Sequence, residues 1–317
     1  MISAAGADPA ALNMATARET LQFRARSLAT IRRYFSEREV MEVETPLLAA
    51  HAATDPQLDN FSLANPLPSS PLCYLQTSPE YAMKKLLALG SGSIYQLGKA
   101  FRRDAPSRLH LPEFTLLEWY RVGFDMPSLM ADVAALAEAL LGPQPVEYIS
   151  YREAFIRWVG IDPWRSSDEA LAAFARQKID ISFSSADRNV WLDLLLSHCL
   201  EPQLGRGKLT FLFDYPCSQA ALSRIECNDD GEPVARRFEL YSEGVELANG
   251  YHELTDAAEQ RARFEQDNRQ RQKMGLESRS IDEDLMAALE RGLPDCAGVA
   301  LGVDRLLALA AGALGST

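Results

Sequence analysis

The sequence predicts an α+β fold in which a mainly antiparallel β-sheet is flanked by helices. Strand-like segments follow one another in adjacent runs, and helical segments gather between and around these runs. Single strands alternating with helices would instead indicate βαβ units and a parallel sheet. With 317 residues, the chain is long enough for a substantial core in one large domain or two small ones.

The first half of the chain begins with a predicted helix at 18–38, where apolar residues recur at helical spacing. A strand at 40–44 stops at Pro46, and the segment 47–71, rich in Pro, Asn, Asp and Ser, is predicted to be a loop. The other predicted elements of this half are a strand at 72–77, a helix from Pro79 to Gly90 with Ser78 as its N-cap, strands at 93–103 and 113–122, and a helix at 127–141.

Residues 143–207 are predicted to be mostly helical and are interpreted as an insertion subdomain. Strand signals then return, and a Ser-Glu-Gly turn joins two of the strands into a hairpin. The predicted elements are strands at 209–214, 234–241, 245–252 and 297–303, and helices at 256–274, 282–291 and from Asp304 onward. The predicted domain organisation is a loose leader at 1–17 and a single domain at 18–317 that carries the insertion.

Composition and charge limit the classes of function. The net charge of −12 argues against tRNA or DNA as the main partner, because nucleic-acid binding needs clustered Lys and Arg. The five cysteines are widely spaced without a C-x-x-C pair, which argues against a disulfide framework or a zinc site and favours a reducing cytoplasm. The sequence has neither a signal-peptide pattern nor an apolar run long enough for a membrane span.

Three blocks of residues carry the chemistry. The first block places Arg102 after a strand and Phe114 at the start of the next. Because arginine binds phosphate in a bidentate manner and an aromatic ring stacks on a base, this block suits a nucleotide. By itself, however, Arg102 is equally compatible with a surface arginine beside an ordinary aromatic strand.

The second block runs from Glu246 to Glu253, where acids in a buried strand pair are costly unless a cation or metal neutralises them. In a regular strand, Glu246 and Ala248 would point to one face, and Leu247 and Asn249 to the other. A solvated edge strand is the structural alternative. The third block, 298–306, combines small residues that let a ligand approach the backbone with an arginine at a helix start, where anions bind favourably.

In this order the blocks resemble motifs 1, 2 and 3 of class II aminoacyl-tRNA synthetases over about residues 18–312. The motif 1 match contains Pro46, motif 2 contains Arg102 and 110–114, and motif 3 is 302–305. The segments 77–80, 246–250 and 252–254 resemble the lysine-specific branch. Ala300, where lysyl-tRNA synthetases usually have Gly, and the early start of motif 1 resemble the bacterial lysyl-tRNA synthetase paralogues that modify elongation factor P.

The resemblance implies a class II synthetase catalytic core that uses ATP and Mg²⁺ to activate (R)-β-lysine, or lysine, as an aminoacyl-adenylate. It implies transfer of this group to a lysine ε-amine of elongation factor P. It also implies a homodimer formed through motif 1, no anticodon-domain contact with tRNA, no membrane association and a cytoplasmic location. The Ala300 methyl group would crowd α-lysine and favour a shifted amino group.

The resemblance also implies the site residues. The catalytic residues are Arg102, Glu246 and Arg305. The residues that bind ATP are Arg102, Arg103, Asp104, His110, Leu111, Pro112, Glu113, Phe114, Glu246, Leu247, Gly302 and Arg305. The residues that bind the amino acid are Ser78, Pro79, Glu80, Glu118, Tyr120, Asn249, Glu253 and Ala300. The Mg²⁺ ligands are Glu246 and Asp104.

The match has two departures, and three other functions stay open. Leu111 stands where the family usually has Asn, and Asp104 replaces the usual Glu. The alternatives are an enzyme that charges a small molecule, like the class II-like asparagine synthetase, a lysine-activating core that charges tRNA, and a non-catalytic regulatory paralogue. Glu253 with Tyr120 suits a cationic side chain, which argues against the first. The retained catalytic residues argue against the last.

Overall fold

The computed structural model describes residues 14–67, 70–103, 111–181, 183 and 185–312. Within these ranges the chain forms twelve β-strands, several of them only two or three residues long. They are β1 Met41–Glu42, β2 Leu48–Ala49, β3 Ser62–Leu67, β4 Ser70–Leu75, β5 Ile94–Phe101, β6 Glu113–Val122, β7 Val146–Ser150, β8 Leu209–Tyr215, β9 Ile225–Cys227, β10 Pro233–Ser242, β11 Val245–His252 and β12 Cys296–Gly302.

Nine α-helices occupy the same described ranges. They are α1 Met14–Ser36, α2 Glu80–Ala88, α3 Met126–Leu141, α4 Tyr151–Ala154, α5 Asp168–Lys178, α6 Arg188–Leu195, α7 Ala257–Lys273, α8 Glu283–Gly292 and α9 Val303–Ala310. The carboxylates of Asp125, Asp256 and Asp282 accept N–H bonds at the starts of α3, α7 and α8. None of the helices in the described ranges combines the length and apolar character of a membrane span.

The main sheet has nine strands and is mostly antiparallel. Its strand order is β1-β5-β6-β12-β11-β10-β8-β7, and β9 pairs with β10. The pairs β1/β5 and β7/β8 are parallel, and the other pairs are antiparallel. A smaller sheet has the order β2-β4-β3. The predicted α+β fold with a mainly antiparallel sheet flanked by helices is therefore confirmed.

The principal core covers one face of the central strands. Phe35 of α1, Val133 of α3 and Leu306 of α9 pack there against Trp119 of β6 and Val299 of β12. Because side chains alternate along a strand, the residues between these core positions point to the opposite face. That opposite face carries the polar side chains of the candidate site.

A second core lies at the other end of the sheet. It joins β7, β8 and β10 to α4, α5 and α6 through buried side chains such as Ile149, Phe155, Trp191 and Tyr215. The segment 143–207 thus supplies helices and also β7, which extends the main sheet by pairing with β8. The helices of this segment consequently stand beside the same sheet that carries the site.

The structure corrects several local predictions. The segment 47–71 is not a loop throughout, since it contains β2, β3 and the start of β4, and neither β7 nor β9 was expected. β2 and β9 have too few residues for a visible alternation, and Asn65 and Pro66 interrupt the strand pattern of β3. Ser78 is not the N-cap of α2, because Pro79 holds that position. Of the predicted leader, residues 1–13 lie outside the described residues, and α1 already begins at Met14.

Candidate active site

A row of side-chain positions crosses five strands on the face opposite the principal core. Gln96 of β5 pairs with Glu118 of β6, which pairs with Ala300 of β12. Ala300 pairs in turn with Asn249 of β11, and Asn249 pairs with Glu239 of β10. The sheet register therefore brings three residues predicted to bind the amino acid, Glu118, Asn249 and Ala300, next to one another.

Gly298 allows the next row of side chains to pack closely. It pairs with Tyr120 of β6 and with Tyr251 of β11. A Cβ atom at Gly298 would lie 2.3 Å from a ring carbon of Tyr120 and 2.5 Å from Oε1 of Glu253. Real Cβ atoms do not approach other atoms so closely, so glycine at this position makes room for both side chains.

Glu118 receives two hydrogen bonds inside the pocket. The Ser78 hydroxyl donates to Oε2 at 2.6 Å, and the Tyr120 hydroxyl donates to Oε1 at 2.8 Å. The Ser78 oxygen also accepts the Glu80 N–H at 3.1 Å. This chain of bonds fixes the start of α2 against β6. It orients a buried carboxylate toward the space above Ala300.

Lys84 links two further acids. Its Nζ lies 2.7 Å from Oε1 of Glu80 and 2.7 Å from Oε2 of Glu253. Lys84 and Glu253 are both buried. Burial alone lowers the pKa of Lys84, but the charges of Glu253 and Glu80 outweigh burial and raise this pKa. The lysine therefore remains an ammonium ion between the two acids.

The buried acids of the pocket resist ionisation. Burial, followed by the charge of Glu80, raises the pKa of Glu118 to about 8. Burial likewise raises the pKa of Glu253 to about 7, although Lys84 acts in the opposite direction. Such shifts arise where carboxylates are desolvated and crowd one another. A ligand that brings positive charge would relieve this crowding, so the pocket is chemically suited to ammonium groups.

Arg102 lies at the other end of the site, directly after β5. Its guanidinium carbon is 5.4 Å from the ring centroid of Phe114 on β6. Its Nε is buried and lacks a hydrogen-bond partner among the residues that the structure describes. A buried N–H donor without a partner is costly unless an acceptor such as an anion satisfies it. Arg102 and Phe114 are therefore placed as an anion donor beside an aromatic surface, which suits a nucleotide.

Glu246 lies on the same face as Asn249, which corrects the expectation that it shares a face with Ala248. The β10–β11 register pairs Leu240 with Ala248 but Tyr241 with Glu246, leaving Leu247 as an extra residue. Because of this bulge, Glu246 points to the opposite face from the one that strict alternation with Ala248 would give. The Leu247 side chain is buried in the principal core, so only its backbone faces the predicted ATP side.

Arg305 and Glu246 lie next to each other beyond the bulge. Arg305 Nη1 donates to the Glu246 carbonyl oxygen at 2.8 Å and lies 3.7 Å from its carboxylate. The start of α9 is held by Asp304, which accepts from the Thr115 N–H at 2.6 Å and from Arg24 at 2.8 Å. A Cβ atom at Gly302 would make only ordinary van der Waals contacts, the nearest at 3.7 Å, so this helix start is not tightly packed.

Of the remaining residues predicted to bind ATP, some lie outside the described residues and others form ion pairs at the surface. Asp104 and His110 lie outside the described residues. The Arg102 N–H donates to the Pro112 carbonyl oxygen at 3.0 Å, and Leu111 is partly buried. Arg103 lies 3.8 Å from Asp59, and Glu113 lies 3.2 Å from Lys99. Both of these ion pairs are at the surface. Among the described residues, no three His, Cys, Asp or Glu side chains are grouped to hold a metal ion.

Sequence reasoning missed four residues at the site, namely Lys84, Arg237, Glu239 and Tyr251. Arg237 donates to Glu239 and, at 3.3 Å, to Asn249, whose amide donates to Tyr251 at 3.1 Å. Glu239 also accepts from two tyrosine hydroxyls, those of Tyr215 and Tyr241. The available signal was the Arg-Arg-Phe-Glu segment within an otherwise apolar strand. There, charged residues at alternate positions require buried partners.

A cavity of about 1670 Å³ opens from the pocket. Ser78, Glu80 and Tyr251 line it on the site side, and Asp193 of α6 and Asp267 of α7 line it farther out. Burial, opposed by the charge of Arg237, raises the pKa of Asp193 to about 6. The cavity is larger than a single amino acid needs.

Comparisons with known proteins agree with this geometry. Residues 10–314 match the family model of class II tRNA synthetases of the D, K and N type. Elongation factor P--(R)-beta-lysine ligases from Photorhabdus laumondii and Yersinia enterocolitica are each 49% identical over 296 residues, 92% of this chain and 90% of theirs. The ligase of the same name from Mannheimia succiniciproducens is 47% identical over 292 residues, 91% of this chain and 90% of its own. The predicted resemblance is confirmed, and the chain belongs to the class II tRNA synthetase family, in its branch of elongation factor P--(R)-beta-lysine ligases.

Proposed function

We propose that this enzyme uses ATP to activate (R)-β-lysine, or lysine, and transfers the activated group to a lysine ε-amine of elongation factor P. The observation that carries the proposal is the pocket above Ala300, where Glu80, Glu118 and Glu253 converge with Tyr120. Buried carboxylates at this density need cationic partners, and a diamino acid brings two. The relatives are named for the same amino acid and the same acceptor.

Within the pocket, the two amines of the substrate would use different acids. Glu253 and Tyr120 would hold the amine that is far from the reacting carboxylate, with Asn249 nearby. Glu80 and Glu118 would hold the nearer amine, and Ser78 and Pro79 would shape the wall. Ala300 pairs with both Glu118 and Asn249, so its methyl group stands where it can influence the position of the nearer amine.

Activation would take place at Arg102. The substrate carboxylate attacks the α-phosphorus of ATP, the bond between the α- and β-phosphates breaks, and pyrophosphate leaves with its electron pair. The unpaired Nε of Arg102 supports this role, because the guanidinium can hold the carboxylate and the phosphate together and stabilise charge on the phosphate oxygens. Phe114 would stack on the adenine, and Arg305, with His110, would bind the terminal phosphate.

Glu246 supports the use of Mg²⁺. Its side chain is 40% exposed and only loosely paired with Arg305 at 3.7 Å. Mg²⁺ typically binds through one or two carboxylates, several waters and the phosphates of the substrate. Glu246, together with Asp104, fits that pattern, and the metal would neutralise charge on the phosphates.

Transfer would follow through the open cavity. The ε-amine of the acceptor lysine attacks the adenylate carbonyl carbon, an amide bond forms, and AMP leaves. The amine must first lose a proton, since its ordinary pKa is about 10.4. The cavity beyond Ser78 and Glu80 supports entry of a lysine side chain from a second protein.

We also propose a homodimer formed through the segment around Pro46. Met41, Leu47 and Leu48 flank this proline, and each is at least 39% exposed. Apolar side chains clustered in this way mark interaction surfaces. Size-exclusion chromatography with light scattering is expected to give twice the mass of 35.1 kDa. A monomer at micromolar concentration would contradict this part of the proposal.

Intact mass spectrometry of elongation factor P tests the main proposal. The factor is incubated with the enzyme, Mg-ATP and (R)-β-lysine, and a mass gain of one lysyl unit is expected. The Arg305→Ala variant is expected to abolish the gain. No gain together with robust lysine-dependent ATP–pyrophosphate exchange would redirect the search to tRNA or another acceptor. Absence of exchange as well would favour the regulatory paralogue.

A further inference from the structure

Lys84 has no role in the assignments above, although it lies inside the amino-acid pocket. It belongs to α2, is 2% exposed and contacts Glu80 and Glu253 at 2.7 Å each. A lysine that serves only the fold normally keeps its ammonium group in water. Lys84 instead joins two of the acids that the substrate is expected to meet.

The sum of the charges in the pocket points to a role for Lys84. Glu80, Glu118 and Glu253 carry three negative charges when ionised, and Lys84 reduces the sum to −2. We propose that Lys84 is a positioning residue that holds Glu80 and Glu253 in place and sets the pocket charge to match the two ammonium groups of a diamino acid. This inference rests on the proposed activation of β-lysine or lysine.

Other ionisable groups around Lys84 do not change this balance. Tyr120 and Tyr251 have raised pKa values, mainly because of burial, and stay neutral at physiological pH. The same holds for Tyr81 and Cys296. Arg224 donates to the backbone carbonyl of Glu253 at 3.2 Å and forms an ion pair with Asp295 outside the pocket. Lys84 is therefore the basic side chain that contacts the pocket carboxylates directly.

Removal of the Lys84 charge has a predictable direction. Lys84 lowers the pKa of Glu253, so without Lys84 this carboxyl would hold its proton to a higher pH. A protonated acid cannot pair with an ammonium group. The acid limb of the pH profile of kcat/KM for β-lysine should consequently move to higher pH, whereas the KM for ATP should not change.

The experiment measures ATP–pyrophosphate exchange from pH 6 to 9 for the full chain and four variants. Lys84→Met makes the formal pocket charge −3, Glu80→Gln makes it −1, and the double variant Glu80→Gln/Lys84→Met restores −2. Lys85→Met is the matched control. It removes the neighbouring lysine of the same helix, which pairs with Asp282 at 2.6 Å and has no contact with the pocket acids.

Lys84→Met is expected to raise the KM for β-lysine at least about 10-fold, with kcat within about 3-fold of the unmodified chain, and to move the acid limb up by about half a pH unit. The double variant should have a KM well below the product of the two single effects, and Lys85→Met should match the unmodified chain. If Lys84→Met does not fold, the double variant carries the test, because it leaves fewer unpaired charges. A double variant whose KM is the product of both single effects would overturn the inference. Lack of exchange in the unmodified chain would instead refute the proposed function.

Discussion

Glu118 and Glu253 couple the protonation of the pocket to the stability of the empty enzyme. Their pKa values of about 8 and about 7 lie above the ordinary carboxyl value of 4.5. The folded chain therefore retains protons that the unfolded chain has already lost at neutral pH. Stability from these groups is fully present below about pH 4.5 and is lost as the pH rises through about 7 and 8.

The melting temperature of the ligand-free enzyme is therefore expected to fall by at least about 3 °C between pH 6 and pH 8.5. Glu118→Gln, which cannot ionise, should flatten this fall. Saturating (R)-β-lysine should raise the melting temperature more at pH 8.5 than at pH 6, because its ammonium groups bind the ionised acids. Differential scanning fluorimetry in matched buffers measures the melting temperature in each of these three comparisons. A melting temperature that rises with pH would contradict the raised pKa values.

Glu253→Gln tests the ionic contact at the far amine. The amide keeps the size of the side chain but leaves Lys84 with Glu80 as its carboxylate partner and removes charge from the pocket. We expect the KM for β-lysine to rise roughly 100-fold, on the order of 3 kcal/mol of lost binding, with a smaller change in kcat. Pyrophosphate exchange measures both constants. Glu283→Gln, which breaks the surface pair with Arg261, serves as the control and should leave the KM unchanged.

Strand β12 can pack against Tyr120 and Glu253 only because Gly298 has no side chain. Gly298→Ala would place a methyl group into the Tyr120 ring and the Glu253 carboxylate. We expect a loss of about 1–3 kcal/mol in the free energy of unfolding, together with weaker binding of β-lysine. Urea titration measures the stability. Gly302→Ala on the same strand has space for a methyl group and should leave the stability unchanged. Equal losses for both variants would contradict the packing argument.

Long elements were predictable from the sequence, because their patterns repeat several times. Helices such as α3 and α8 begin within a residue of the predicted start, since an aspartate caps each of them. The two-residue strand β2 and the bulge at Leu247 carry no such repetition. Register also depends on the neighbouring strand, which a local pattern does not contain.

The predicted site residues came from the family resemblance, and the structure adds their partners. Lys84 escaped prediction because a lysine in an amphipathic helix normally indicates a solvated face. Arg237 and Glu239 escaped because alternating charged residues in a strand look like a surface pattern. Each becomes visible only when a second element brings an opposite charge to the same buried space.

The charge of the whole molecule bears on its choice of acceptor. The net charge is −12, from 44 acidic and 32 basic residues. Non-specific binding of nucleic acid needs a positive surface that releases counterions. We therefore expect no retention of tRNA in a mobility-shift assay at micromolar enzyme and about 100 mM salt. Retention that weakens steeply with added salt would restore tRNA charging as an alternative.

The extra residue in β11 has a consequence for how this hairpin tolerates change. Because Leu247 breaks the alternation, Asn249, in the proposed amino-acid pocket, and Glu246, on the proposed nucleotide side, lie on the same face of one strand. Deletion of Val245 would allow a regular ladder without the bulge, in which Glu246 would share a face with Ala248 and point toward the apolar layer. The number of residues in this hairpin is consequently a stricter requirement than their identity.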